Sequence, residues 1–86
     1  MSGEDLRSVY FPRANLTGSN LANCDFSDAY LLLANLQDCD MTGAIFRNAD
    51  LTRANFRGSV ASGADFSGAT LTGAKGIDHI KGLDAS

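Results

Sequence analysis
This chain holds one proline, one histidine, two cysteines and no tryptophan among its 86 residues. A single histidine, His79, leaves no room for a histidine-built metal cluster. It also restricts any Ser–His–Asp or Cys–His relay to one place near the C-terminus. Two thiols, Cys24 and Cys39, are too few for a disulfide framework and, without histidine nearby, make a poor zinc site. The longest apolar run is Ala29–Ala34, far short of a membrane span. No block of one charge stands out at a net charge of −3, and no basic stripe suggests direct nucleic-acid binding. The first ten residues lack the charged-then-apolar layout of a signal peptide, which leaves the compartment open.

What the chain does have is an apolar residue every fifth position. From Phe11 the series runs Leu16, Leu21, Phe26, Leu31, Leu36, Met41, Phe46, Leu51, Phe56, Ala61, Phe66 and Leu71. Only Ala61 is small. On a helix these positions would drift around the axis, and on a strand they would alternate faces. Keeping them all inside requires a corner once per unit. Two positions before each centre, every residue but Val9 is small: Ala, Ser or Cys. Two positions after it, Gly, Asn and Asp dominate, and six of the nine glycines fall there. Those are the residues that best tolerate a positive φ.

Segments such as Ala14–Gly18 (ANLTG), Ala49–Arg53 (ADLTR) and Ala64–Gly68 (ADFSG) resemble the consensus of the pentapeptide-repeat family. The resemblance spans residues 9–74 and implies an all-β fold, a right-handed four-sided parallel β-helix (β-solenoid) with four units per coil. A twenty-residue coil is also favoured by the residues themselves. It stacks Phe26, Phe46 and Phe66 in one interior column and Asn15, Asn35 and Asn55 in one exterior ladder. The expected organisation is an irregular polar lead-in over 1–8, a β-helix of three to four coils over 9–74, and a cap and tail over 75–86. In that cap Ile77, Ile80 and Leu83 are spaced for a short helix.

No reaction chemistry emerges. Asp25, Asp40, Asp50 and Asp65 occur in the position before the centre, which is Asp or Asn by the logic of the repeat. They read as regular decoration rather than a paired acid and base. Cys24 and Cys39 read as small buried hydrophobes. His79 reads as a solvated cap residue. The expectation is a non-enzymatic module with no cofactor and no metal, which serves as a structural element or binds an unidentified protein partner. It would act as a monomer or as an end-to-end dimer through the N-terminal coil, with neither direct nucleic-acid binding nor a membrane. The family resemblance adds an alternative, a DNA mimic that inhibits or protects DNA gyrase and rests on the outward aspartates. Arg7, Arg13, Arg47, Arg53 and Arg57 interrupt such an acidic surface.

Two irregularities stand out. Arg13, Leu33 and Arg53 break the Gly/Asn/Asp rule and are spaced by twenty, so they form one vertical column. Beside them lie Pro12, Leu32, Tyr10 and Tyr30. Two readings fit: a turn of different shape that needs no positive φ, with Leu33 folded against the wall, or a partner-binding face made of Tyr10, Arg13, Tyr30, Leu32, Leu33 and Arg53. The second irregularity is Ala61, an undersized centre above Met41 beside an outward Val60. It reads as a packing gap, as inward rotation of Val60, or as a functional bulge.

Overall fold
The computed structural model describes residues 3–76. Over that span the chain winds in coils of twenty residues. Asp5 pairs with Asp25 in parallel, Tyr10 with Tyr30, and the series continues every fifth residue to Asn55 with Lys75. Each coil therefore has four sides, and each side contributes one paired residue followed by one turn. We number the sides by their central residues. Side 1 carries Leu6, Phe26, Phe46 and Phe66; side 2 carries Phe11, Leu31, Leu51 and Leu71. Side 3 carries Leu16, Leu36 and Phe56, and side 4 carries Leu21, Met41 and Ala61.

The backbone hydrogen bonds show why five residues make one unit. The N–H of a paired residue donates to the coil before it, as Tyr30 N–H does to Val9 C=O at 2.8 Å. The next residue, the centre, donates to the coil after it, as Leu31 N–H does to Asp50 C=O at 2.8 Å. The corner is closed by a bond from the small residue back to the centre, such as Ala34 N–H to Leu31 C=O at 3.0 Å. A four-residue turn with positive φ only at its third position has type II geometry. Gly, Asn and Asp are preferred there for that reason. Glycine has an added role where a coil rests on an asparagine or aspartate. A Cβ at Gly43, Gly58 or Gly68 would collide with the side-chain oxygen of Asn23, Asp38 or Asn48 below.

The residue before the centre has its own task. Asp or Asn there accepts the N–H of the residue two positions on, from Asp5 with Arg7 to Asp65 with Ser67, at 2.9–3.3 Å. That N–H sits at the corner, outside the inter-coil ladder, so a side-chain acceptor satisfies it locally. This accounts for the regular aspartates, Asp25, Asp40, Asp50 and Asp65, as turn-stabilising groups.

Inside, the large centres and the small residues form one continuous core, with Phe26, Leu31, Leu36, Met41, Phe46, Leu51 and Phe56 fully buried. The phenylalanine column is present as a stack, with Phe26–Phe46 centroids 5.0 Å apart and Phe46–Phe66 4.9 Å apart. Phe56 adds an edge contact to Phe66 at 6.1 Å. Cys24 and Cys39 are buried with no disulfide between them. The Cys39 thiol donates to Leu16 C=O at 2.9 Å, and burial pushes its pKa up, which suppresses thiolate chemistry. One coil later Ser59 plays the same part, donating its hydroxyl to Leu36 C=O and accepting from Cys39 N–H at 3.0 Å.

Several expectations need correction. The lead-in over 1–8 is not irregular from Gly3 onward. Asp5 pairs with Asp25, Leu6 packs against the core, and Ser8 adopts the turn conformation with φ 60°. The repeat thus begins before Val9, with Glu4 tolerated in a small-residue position because it is exposed at the end of its column. Not every centre is fully inside. Phe11 is 39% exposed, because no described residue stacks beneath it. Val60 does not rotate inward to fill the space beside Ala61. It keeps its pairing with Asp40 and stays at the surface, while Ala61 is buried. The expected cap helix and His79 lie outside the described residues, apart from Lys75 and Gly76. Lys75 still pairs with Asn55, and Gly76 takes φ 75° close over the backbone of Arg57.

Candidate functional site
The column of irregular residues occupies the corner between sides 2 and 3. Its three members take the same backbone conformation as every other corner: φ is 61° at Arg13, 59° at Leu33 and 58° at Arg53. The expected turn of different shape is therefore not what is found. The inter-coil bonds are also regular, with Arg13 N–H to Leu32 C=O at 2.7 Å and Leu33 N–H to Thr52 C=O at 2.9 Å. Leucine and arginine are thus held in a region where a Cβ is crowded, at a cost on the order of 1–2 kcal/mol each. Nothing in the turn demands them, because glycine or asparagine serves at the neighbouring corners.

Pro12 has a clear local reason. It occupies the second position of the Phe11–Ala14 turn, where a fixed φ suits type II geometry. Lacking an N–H, it needs no Asx acceptor two positions earlier, which frees position 10 for a tyrosine. Position 30 has no such excuse, because Leu32 keeps its N–H while Tyr30 offers no acceptor in its place.

The outward side chains gather as the sequence suggests. Tyr10 and Tyr30 stack with centroids 5.0 Å apart and planes within 5°. Tyr10 is 74% exposed, whereas Tyr30 is half-buried under the next coil. Leu33 is 37% exposed and Leu32 half-buried, so Leu33 is not folded away against the wall. Arg13 and Arg53 are exposed, one coil below and one above Leu33.

Charge is sorted between the corners. On side 1 the arginines are engaged: Arg7 binds Asp5 at 2.9 Å and Arg47 binds Asp65 at 2.6 Å. The bonds from Ser67, together with the Arg47 guanidinium, hold the Asp65 carboxyl down at about 2. Bonds from Ser27 and Thr42 likewise lower Asp25 and Asp40. By contrast, Arg13 and Arg53, and Arg57 on side 3, form no ion pair among the described residues. No group of three or more metal-ligating side chains comes together among the described residues, and none of their helices is long and apolar enough to cross a membrane.

Comparison with known proteins bears on the repeat. The family model described as pentapeptide repeats matches eight copies, over residues 10–48 and 49–75, well over half of the chain. The chain belongs to the pentapeptide-repeat family. Proteins of this family form right-handed, four-sided β-helices and are generally structural or interaction proteins. The coil register described above agrees with that architecture. One solved relative is a pentapeptide-repeat protein (Rfr23) from the cyanobacterium Cyanothece 51142. It is 19% identical, covering 86% of this chain and 84% of that one at a TM-score of 0.33. That distant likeness carries no weight in the assignment. No curated protein matches the chain.

Proposed function
We propose that this pentapeptide-repeat domain is a non-catalytic binding module whose partner, a protein, docks on the corner between sides 2 and 3. The observation that carries the reading is the positive φ at Arg13, Leu33 and Arg53. Residues kept in a costly conformation where easier ones serve elsewhere point to a use other than folding. Tyrosine and arginine beside exposed leucine is also the composition of interface anchors. Elsewhere the regular aspartates serve as turn acceptors, and Cys39 is a buried thiol. Less supports a DNA mimic acting on gyrase, because Asp5 and Asp65 are paired with arginines and Arg13, Arg53 and Arg57 interrupt the outward aspartates.

The test is capture from the source lysate with the native domain and with Leu33→Asn as baits. Asparagine suits the turn, so the variant keeps its fold while losing the apolar anchor. A protein retained by the native bait and lost by the variant supports the corner. Identical captures by both baits refute it.

A further inference from the structure
Resting on that reading of the corner, we infer that its partner presents an acidic amphipathic helix laid along the solenoid axis. Successive coils are spaced by about 5 Å, as the tyrosine and phenylalanine stacks show. Arg13 and Arg53 are thus about 10 Å apart along the axis, with Leu33 midway. An α-helix rises 1.5 Å per residue, so side chains at i and i+7 lie about 10.5 Å apart with i+3 and i+4 between them. Carboxylates at i and i+7 flanking an apolar residue at i+3 or i+4 therefore match Arg13, Leu33 and Arg53 in register. An extended strand run along the axis fits less well. Its side chains on one face are spaced by nearly 7 Å, out of step with coils about 5 Å apart.

Exposed Arg57 on side 3 also forms no ion pair among the described residues, but only at this corner do two arginines stand in one column with a leucine between them. The arginines on side 1 already have aspartate partners, whereas both guanidinia here are exposed and unengaged among the described residues. An arginine with no internal carboxylate keeps its full bidentate capacity for an external one. Beside the column, the Tyr10–Tyr30 stack adds apolar ring surface, most of it on the exposed Tyr10. Asp50 pairs directly above Tyr30 and accepts from Thr52 N–H and Oγ1 at 3.1 and 2.6 Å, so one carboxylate stands at this same corner, beside Arg53. Its donors are neutral and its charge remains, so a helix docked here places its carboxylates on the two guanidinia and away from Asp50.

The experiment titrates the intact chain into labelled fifteen-residue helical peptides carrying Glu at i and i+7 with Leu at i+3 and i+4. A matched peptide carries Lys for Glu, and a short DNA duplex serves as a third probe. Fluorescence anisotropy should show binding of the acidic peptide alone, weakening several-fold between 50 and 200 mM salt. Arg13→Gln with Arg53→Gln should weaken it about tenfold, as expected for two partly exposed charge pairs. Arg47→Gln, on side 1, should leave it unchanged, and circular dichroism checks that each variant keeps the native fold. Equal binding of the lysine peptide, no binding of either peptide, or insensitivity to the double variant overturns the inference. Binding of the duplex in preference to the acidic peptide also overturns it, in favour of phosphate recognition. The lysate capture with Leu33→Asn is independent of charge. A result there that still depends on Leu33 would preserve the docking corner while rejecting the acidic helix.

Discussion

Replacing Arg53 by asparagine should make this protein more stable, which is unusual for a surface substitution. Arg53 holds φ 58°, and its Cγ would lie 3.1 Å from a Cβ built on Gly73 in the coil above. At two other corners, asparagine sits directly beneath glycine: Asn23 under Gly43 and Asn48 under Gly68. Arg53→Asn would reproduce that arrangement at the irregular corner. Relief of the left-handed conformation contributes about 1–2 kcal/mol. The packing lost with the arginine stem over Gly73 offsets about a third of that, because the side chain is exposed. A net gain of about 1 kcal/mol raises the midpoint of a domain this size by roughly 4–8 °C. Thermal unfolding followed by circular dichroism reads the shift directly, and urea unfolding gives an independent value. The reverse substitution, Asn48→Arg, should lose a similar amount. A fall in stability for Arg53→Asn, or no change in either variant, would refute the claim that this corner is strained.

Other perturbations test the rest of the structure. Phe46→Ala removes the middle of a three-ring stack and should cost about 3–5 kcal/mol, whereas Ser62→Ala, exposed at a corner, should change stability by less than about 0.5 kcal/mol. Equal effects in urea unfolding would overturn the inward and outward assignment. Gly58→Ala meets both a positive φ of 76° and the Asp38 side chain, while Gly18→Ala at φ 73° has open space. The first should therefore destabilise by more than the second, which costs about 1 kcal/mol, and equal midpoints would rule out the close approach of Asp38. Asp65 is held at about 2, below its ordinary value of 3.8. A lowered folded pKa gives stability that is present above the unfolded pKa and lost as pH falls through the folded one. The midpoint of the native chain should thus drop between about pH 4 and pH 2, and Asp65→Asn should flatten that drop. An unchanged acid profile in the variant would show that the ladder of Ser67 and Arg47 is not stabilising.

Much of the fold was legible because the repeat exposes each slot to a separate physical demand. Large centres, small companions and turn residues each recur every five positions, and the twenty-residue coil showed itself in the phenylalanine and asparagine columns. The structure adds the reason for the aspartates, since their bond to the N–H two positions on cannot be read from spacing alone. It also corrects the ends. Leu6 lies in phase with the later centres, but Glu4 in the small slot masks the continuation toward the N-terminus. Likewise Val60 next to a small centre suggested a rotation that the inter-coil pairing with Asp40 forbids. The corner at Arg13, Leu33 and Arg53 was visible as a break in pattern. Its meaning was not, because a sequence shows which residue departs from a rule and not whether the backbone departed with it.

That distinction separates two explanations of the corner. Had the backbone relaxed to a negative φ, leucine and arginine would be ordinary choices and the column would say nothing about function. With φ near 60° at all three positions, each residue is worse for folding than the asparagine or glycine used at other corners. Chance alone accounts poorly for three such choices stacked in one column beside two stacked tyrosines. Nor does core packing account for the two arginines, which are exposed and contribute little to it. The stability variants and the binding variants are therefore linked. If Arg53→Asn stabilises the domain and weakens partner binding together, the strain is retained for the interface. If it stabilises the domain and leaves binding intact, the arginine is dispensable, and docking must rest on the tyrosines and Leu33.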